Sequence, residues 1–301
     1  MAATYTRALA AAHDAASAQH YPQGALYVVA TPIGNLADIT LRALHLLALA
    51  DAVACEDTRR THALLRAYGI TKSAAQLIAL HQHNEMEAAQ AVVERLRRDE
   101  RVAYVSDAGT PAISDPGAKL VAAVRGAGLA TVPLPGASSV TAALSVAGIA
   151  QASGFLFAGF LPTRVAERVA AVQTLQQRPE AVVLLEAPHR IEALASALAA
   201  LGERHITVAR ELTKQFEEIA TIAAVALPSW LAAAPERLRG EFVLVLHPAA
   251  DAEDGSDAQR VLRLLLHELP LKTAVRLAAE ITGAARNALY QSALALKNEA
   301  D

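Results

Sequence analysis

Short apolar runs alternate with longer amphipathic stretches through the first half of the chain. The apolar runs lie at 25–30, 51–55, 77–80, 102–105 and 130–134. Runs of about 4–8 such residues are typical of buried strands. Between them apolar residues recur at helical spacing, as Leu41, Leu44 and Ala48 do. Strands that alternate with helices pair in parallel through right-handed crossovers, so the pattern predicts an open α/β sheet.

A second set of apolar runs begins after Gly154. These runs lie at 155–160, 181–186, 205–209 and 242–246, and a polar cluster follows each of the last three. The composition of 251–257 is typical of a linker. We therefore predict four parts: a flexible N-terminal tail over 1–23, a parallel α/β domain over 24–152, a second α/β domain over 153–250 and a helical extension over 256–296.

The helical extension is predicted to hold about three short helices. The apolar residues of its middle helix fall at i, i+3, i+4 and i+7: Ala274, Leu277, Ala278 and Ile281. Gly283 interrupts the pattern, and the next helix carries Arg286. The arrangement resembles a helix-turn-helix. A small helical cap that packs on the main body is the alternative.

Composition narrows the function classes. With 301 residues, 53% of them hydrophobic, the chain can bury one large or two medium cores, and its length favours two domains. No apolar run reaches the roughly 18 residues that span a bilayer, so we expect a cytoplasmic protein without a membrane partner. The single cysteine, Cys55, lies in an apolar run and is expected to be a core residue. A net charge of −3 argues against a general nucleic-acid coat, and no DNA partner is expected, but a local basic patch stays possible.

Three loops rich in Gly, Pro, Ser, Thr and Asp follow predicted strands. They are "TPIGN" (31–35), "SDAGTPAISDPG" (106–117) and "PLPGASS" (133–139). In open parallel sheets, loops at the carboxyl ends of strands line the crevice where ligands bind. We expect these loops to form a small-molecule site together, although each is also compatible with an ordinary turn.

A dinucleotide or phosphate cradle is disfavoured. The first loop has one glycine where G-x-G-x-x-G needs three, and Pro32 replaces a backbone N–H that a pyrophosphate would use. No G-x-x-x-x-G-K-[ST] loop occurs in the chain.

Seven segments in order resemble one known family. They are "LYVVATPIGNLADIT", "CEDTRRT", "HQHNE", "SDAGTPAISDPG", "PLPGASS", "LLEAPHR" and "ARELTKQFEE". Together they resemble the ribosomal RNA small subunit methyltransferase I family, within the tetrapyrrole methylase superfamily. The resemblance covers roughly 24–295.

The resemblance implies the two-lobed class III S-adenosylmethionine-dependent methyltransferase fold. It further implies 2′-O-methylation of a cytidine ribose in the decoding region of 16S rRNA, within the small ribosomal subunit, by a homodimer. S-adenosyl-L-methionine is the implied cofactor, and no metal is expected. The rivals are a tetrapyrrole methyltransferase, which the "CEDTRRT" and "HQHNE" segments and the C-terminal helices disfavour, and a non-catalytic RNA-binding module.

The resemblance also implies cofactor residues between the lobes. From the first lobe they are Pro32, Ile33, Gly34, Asp107, Ala108, Gly109, Thr110, Ile113, Ser138 and Ser139; from the second they are Leu184, Ala209 and Glu241. The loop after the fourth strand departs from the Gly-Asp-Pro usual in the tetrapyrrole branch. Asp107 can favour the positive charge of the cofactor, or it can be a turn cap.

Catalytic and RNA-binding candidates are carboxylates and cations near the same crevice. A ribose hydroxyl is a weak acid and benefits from a base as it attacks. Asp57 is the preferred base, with Glu56, His81 and His83 as alternatives, and Lys214 can assist electrostatically; helix capping is the competing role for Asp57. The RNA-binding candidates are Arg59, Arg60, His83, Asn84, Arg190 and Arg286, whose cations are also compatible with plain surface charges.

Overall fold

The computed structural model describes residues 5–81, 84–114, 116–150, 154–249 and 255–298. In the first lobe strands and helices alternate, as the apolar pattern predicts. The strands are β1 (Ala25–Val29), β2 (Ala52–Cys55), β3 (Leu77–Ala79), β4 (Val102–Val105) and β5 (Ala130–Leu134). The helices are α1 (Thr6–Ala16), α2 (Leu41–Leu49), α3 (Thr58–Ala67), α4 (Glu85–Leu96), α5 (Ala118–Gly126) and α6 (Ser139–Val146).

The five strands of the first lobe form a parallel sheet in the order β3-β2-β4-β1-β5. Successive residues of β2 enter different cores: Val53 and Cys55 pack on one face, and Ala52 and Ala54 on the other. Helices cover both faces, which is why these strands read as continuous apolar runs. Pro133 has no N–H to donate and is accommodated because β5 is an edge strand.

The N-terminal segment differs from the flexible tail expected over 1–23, because residues 6–16 form helix α1. Ala12 and Ala16 are buried, and the Tyr5 N–H donates to the Ala67 carbonyl at 2.8 Å. The ring centroids of Tyr5 and Tyr68 lie 5.8 Å apart. Alanine has the highest helix propensity, and packing supplies the stability that so short a helix lacks alone.

The second lobe is a mixed sheet in the order β6-β7-β10-β8-β9. Its strands are β6 (Phe155–Gly159), β7 (Ala181–Glu186), β8 (His205–Arg210), β9 (Glu218–Ala223) and β10 (Phe242–Leu246), with helices α7 (Val165–Leu175), α8 (Ile191–Leu198) and α9 (Leu227–Ala232). β6 and β7 are parallel, and the remaining pairs are antiparallel. The sequence analysis did not predict β9, an edge strand whose residues are only partly buried.

Helix α6 joins the cores of the two lobes. It follows β5 of the first sheet, yet Val140 and Ala143 pack against Val183, Val243 and Val245 of the second sheet. This shared core fixes the second sheet against the carboxyl-end loops of the first, which is where the candidate site lies.

The C-terminal segment is a three-helix bundle formed by α10 (Gly255–Glu268), α11 (Leu271–Thr282) and α12 (Arg286–Asn298). Ala274 and Ala278 are buried as predicted, but Ile281 is 64% exposed, and Val275 is buried instead. The Gly283 φ of 73° is left-handed and ends α11. The predicted apolar face was therefore rotated toward the wrong side of α11.

Candidate active site at the cleft between the lobes

The loops that follow β1, β4 and β5 meet at one end of the first sheet. The Thr31 N–H donates to the Gly109 carbonyl at 2.9 Å, and the Gly109 N–H donates to the Thr31 carbonyl at 3.0 Å. Thr110 Oγ1 donates to the Ala137 carbonyl at 3.1 Å, which ties in the third loop. β4 and β1 are neighbours where the strand order reverses, the place where open α/β sheets bind ligands. The prediction that the three loops share one crevice is confirmed.

Two hollows lie between these loops and the second lobe. The larger, here called the interlobe hollow, has a volume of about 460 Å³, and the smaller, called the sheet hollow, about 240 Å³. The walls of both include Ile33, Ala108, Lys214 and Glu241. The interlobe hollow is further lined by Pro32, Gly34, Leu36, Arg60, Thr61, Ala63, Leu64, Ala67, Ser106 and Asp107. The sheet hollow is further lined by Ser114, Ser139, Phe160, Leu185, Glu186, Ala187, Ala209, Leu212, Phe242 and Val243.

Most of the predicted cofactor residues border these hollows. Those in a wall are Pro32, Ile33, Gly34, Asp107, Ala108, Ser139, Ala209 and Glu241. Gly109 and Thr110 hydrogen-bond the loops to one another without belonging to either wall, and Ser138 is the residue that precedes α6. Ile113 is 56% exposed and belongs to neither wall.

In β7, the side chain that faces the cleft is one residue further along the chain than predicted. Val243 of β10 is flanked by Leu185 and Ala209, and all three line the sheet hollow. Leu184 is paired with Leu244, and its side chain is buried in the core on the opposite face. Because side chains alternate across a strand, Leu185 replaces Leu184 as the side chain that faces the cleft.

Asp107 connects the loops after β2 and β4. Its Oδ1 accepts a hydrogen bond from the Asp57 N–H at 3.2 Å, and its Oδ2 accepts one from the Arg60 guanidinium at 2.9 Å. The carboxylate is 22% exposed, so it faces the interlobe hollow while it is held by both partners. Asp107 is therefore a fixed negative charge in the wall.

Asp57 is the N-cap of α3. Its carboxylate accepts hydrogen bonds from the Arg59 N–H at 2.8 Å and from the Arg59 guanidinium at 3.1 Å. These hydrogen bonds lower the pKa of Asp57 to about 2. A base with so low a pKa draws protons weakly at neutral pH, so the geometry favours the capping role over the catalytic one.

We predict that Asp57→Asn retains the catalytic activity of the site within about threefold of wild type, because asparagine keeps a capping oxygen, whereas loss of a general base lowers rates by about 10²–10⁴. Since the folded-state pKa of Asp57 is depressed, its ionised form stabilises the fold above about pH 4, and that contribution is lost as the pH falls toward 2. Melting temperatures of wild type and Asp57→Ala should accordingly differ at pH 7 and converge near pH 2. A rate loss of 100-fold or more in Asp57→Asn would restore Asp57 as the base.

Lys214 stands at the junction of the two hollows. Its ammonium donates to Glu211 at 2.7 Å and to Glu241 at 3.0 Å. Burial opposes the charge of Lys214, but hydrogen bonds to Glu211 and Glu241 outweigh burial and raise the pKa of the ammonium. Lys214 is thus a permanent cation between the predicted cofactor walls.

The segment that carries Lys214 is held in an unusual conformation against two glycines. Glu211 and Thr213 have φ values of 51° and 65°, which non-glycine residues rarely adopt and which concentrate at functional sites. A Cβ on Gly34 would lie 2.4 Å from Lys214 Cγ, and one on Gly240 would lie 2.3 Å from Glu211 Cγ. The Asn35 N–H donates to Thr213 Oγ1 at 3.1 Å, which links the lobes directly.

Comparison with known proteins identifies the family. The family described as "Tetrapyrrole (Corrin/Porphyrin) Methylases" matches residues 25–227, and the one described as "RsmI C-terminal HTH domain" matches residues 252–297. Proteins named ribosomal RNA small subunit methyltransferase I are similar over most of the chain. The one from Neisseria meningitidis serogroup B is 48% identical over 92% of this chain and 95% of its own length, and the one from Escherichia coli O157:H7 is 45% identical over 90% and 95%.

The chain belongs to the ribosomal RNA small subunit methyltransferase I family.

Solved structures of similar fold include two methyltransferases. A cobalt precorrin-4 methyltransferase superposes with a TM-score of 0.55 at 18% identity, over 76% of this chain and 98% of its own. A uroporphyrin-III C-methyl transferase from Thermus thermophilus, complexed with S-adenyl homocysteine, superposes with a TM-score of 0.51 at 18% identity, over 74% and 96%. At this identity the likeness shows the fold alone.

Two predicted RNA-binding residues of this family member have structural partners. Asn84 Oδ1 accepts from the His81 N–H at 2.8 Å, and its Nδ2 donates to the Ala79 carbonyl at 2.9 Å. Arg190 is 19% exposed, lies 3.0 Å from Glu186 Oε1 and donates to the Leu161 carbonyl. These contacts hold the side chains of Asn84 and Arg190 in their own loops, and the RNA-binding roles of both residues stay predictions.

The other candidates remain predictions. Arg59 and Arg60 are 90% and 71% exposed, and Arg286 is exposed at the start of α12. Glu56 is half-buried directly after β2. His83 lies outside the described residues.

The sequence analysis missed one wall of the cleft. Helix α3 contributes Thr61, Ala63, Leu64 and Ala67 to the interlobe hollow. The signal was present, because Arg60, Leu64 and Ala67 recur at the i, i+4, i+7 spacing of one helix face. Phe160 and Leu212 were likewise missed in the sheet hollow.

Within the part of the chain that the structure describes, no group of three or more His, Cys, Asp or Glu side chains is placed to hold a metal ion. The same residues include no helix that is both long and apolar enough to cross a membrane.

Proposed function

We propose that this family member transfers a methyl group from S-adenosyl-L-methionine to the 2′-oxygen of a cytidine ribose in the decoding region of 16S rRNA. The observation that carries the proposal is the pair of hollows that meet at Lys214, one walled by the loops and α3 and the other by the second sheet. Two substrates, a small donor and a nucleotide, need two adjoining sites. The names of the relatives supply the RNA class.

The sheet hollow fits the cofactor in chemistry. Ile33, Leu185 and Leu212 give it an apolar wall that suits a flat ring. Asp107 and Glu241 place negative charge beside the junction, which favours a cation there. The bound cofactor supplies a methyl group made reactive by its sulfonium.

The residues of the chain would act mainly by placement and charge. The close approach of Gly34 to Lys214 fixes the distance between the two hollows. Ordered positioning can supply about 7–11 kcal/mol in favourable cases. The Lys214 ammonium, held by Glu211 and Glu241, can stabilise negative charge as it develops on the attacking ribose oxygen.

The partners follow from the same proposal. The substrate would be 16S rRNA within the small ribosomal subunit, and the protein would act in the cytoplasm as a homodimer. Symmetric pairing is the commonest assembly of soluble oligomers. The predicted helix-turn-helix bundle at the C-terminus, which carries the exposed Arg286, is a second surface for RNA.

The test is methyl transfer from radiolabelled S-adenosylmethionine. Purified small subunits, free 16S rRNA and uroporphyrinogen would be offered in parallel, and the labelled RNA would be digested to nucleosides. We expect label in small subunits, in a single cytidine, on the ribose rather than the base. Calorimetric titration should show that the protein alone binds S-adenosylmethionine.

Each rival predicts a different result. Label in uroporphyrinogen and none in RNA would favour a tetrapyrrole methyltransferase. RNA binding without any affinity for S-adenosylmethionine would indicate a non-catalytic module. Label on a base, or at another nucleotide, would retain the RNA class and overturn the proposed position.

A further inference from the structure

Helix α3 carries basic side chains and no acidic ones. Its ten residues include Arg59, Arg60, His62 and Arg66, and none of them is acidic. The whole chain has a formal net charge of −3, so this concentration of cations is local. A basic helix face in an acidic protein indicates an anionic partner at that face.

The helix is a partition between two hollows. Arg60, Thr61 and Leu64 line the interlobe hollow on one side. On the other side is a hollow of about 540 Å³, here called the flank hollow, lined by Thr58, Arg59, His62, Ala74, Leu77 and Ala79. An α-helix with its side chains is about 10–12 Å across, a distance that a short extended stretch of RNA can span.

The walls of the flank hollow suit a nucleotide. None of its six residues is acidic, and Ala74, Leu77 and Ala79 form a floor of small and apolar side chains. The volume falls in the range of roughly 300–1,000 Å³ that is usual for small-ligand sites. Arg59 is 90% exposed, and its guanidinium offers five N–H groups, of which Asp57 uses two. His62 is also exposed.

We propose that the flank hollow is a second nucleotide subsite, which binds a neighbour of the methylated cytidine in the RNA strand. Arg59 and His62 contact the phosphate, and the base or ribose lies over Leu77 and Ala79. The strand crosses α3 beside Arg60, whose side chain is 71% exposed. This inference rests on the proposed function, since it presumes that the target nucleotide enters the interlobe hollow.

A bulky substitution that fills the flank hollow tests the subsite without removing a charged residue. Ala74→Trp places a large ring in the flank hollow, and Ala75→Trp, at the adjacent exposed alanine outside the hollow, is the matched control. We expect Ala74→Trp to weaken binding of a 16S rRNA decoding-region fragment by at least about tenfold and Ala75→Trp to leave it unchanged. Both should bind S-adenosylmethionine as the wild type does in calorimetry.

The salt dependence of RNA binding by Arg59→Gln tests the phosphate contact independently. It decides whether the flank hollow binds RNA if Ala74→Trp does not fold. For Arg59→Gln, the slope of log affinity against log salt should shrink by about 0.7, the value for one lost contact to single-stranded nucleic acid. Arg125→Gln, an exposed arginine on α5, is the control and should keep the full slope.

The outcomes separate the two proposals. If wild type methylates rRNA while Ala74→Trp and Arg59→Gln bind it like their controls, the subsite is overturned and the proposed function stands. If wild type methylates no rRNA, the proposed function fails first.

Discussion

Replacement of Gly34 by alanine should lower the rate of methyl transfer by about 100-fold or more while the protein stays folded. The new Cβ would lie 2.4 Å from Lys214 Cγ, 2.8 Å from Thr213 Oγ1 and 2.9 Å from the Leu212 carbonyl oxygen. The lysine stem can move aside, but the backbone carbonyl of Leu212 cannot. The lobes must therefore separate locally, and a misplacement of about 1 Å can reduce catalysis by 10².

Gly126→Ala provides the matched control for Gly34→Ala. Apart from its chain neighbours and the backbone of its own helix, no atom lies within 4 Å of a Cβ at Gly126, at the end of α5, so alanine should be tolerated there. Overpacking at Gly34 should destabilise the fold by about 1–3 kcal/mol, which thermal unfolding measures alongside the methylation rate. If Gly34→Ala matches Gly126→Ala in rate and melting temperature, the contact between the lobes does not control the site.

Lys214→Met should reduce the methylation rate by on the order of 100-fold with a smaller effect on cofactor affinity. Methionine keeps a flexible apolar stem, but it leaves Glu211 and Glu241 without their shared cation. Loss of one group that stabilises charge in the transition state typically lowers kcat by about 10²–10³. Single-turnover rates measure the chemical step, and calorimetry measures cofactor binding.

Lys214→Arg separates charge from packing at the same position. Arginine restores the cation in a different geometry, so it should recover part of the rate lost in Lys214→Met. A rate for Lys214→Met within threefold of wild type would exclude an electrostatic role for this residue. Equal losses in both variants would indicate that shape, and not charge, is what position 214 contributes.

The sequence was most informative about the loops that form the cleft, because their Gly and Pro residues indicate both turns and a possible ligand site. The three loops rich in Gly and Pro were expected in one crevice, and the hydrogen bonds between Thr31 and Gly109 and from Thr110 to Ala137 join them there. The parallel pairing of the first sheet followed from the alternation of strands with helices, because such strands pair through right-handed crossovers.

Side-chain direction was the harder quantity to predict. Leu184 and Leu185 are both apolar and adjacent, and only the pairing of β7 with β10 decides which of them faces the cleft. Ile281 fits the helical spacing of α11 as well as Val275 does, yet packing in the bundle buries Val275. In both cases, local pattern alone leaves the orientation undetermined.

Some polar residues of the family segments support the loops through hydrogen bonds to the backbone. Asn84 bonds to the backbone at the end of β3, and Glu85 accepts from the N–H groups of Gly117 and Lys119 at 2.9 and 3.2 Å. Glu85 and Lys119 are 34 positions apart along the chain. The local sequence around Glu85 therefore does not tell whether its side chain supports a loop or binds a ligand.

The placement of α6 limits how the molecule can admit its substrates. Because Val140 and Ala143 are embedded in the second sheet, the lobes cannot swing apart as rigid bodies without exposing the core that they share. We therefore expect entry to the cleft to depend on small rearrangements at its rim, such as rotation of the exposed Arg60 side chain, more than on a hinge. If the substrate is as large as a ribosomal subunit, its target nucleotide would have to fit an opening of the cleft whose width changes little.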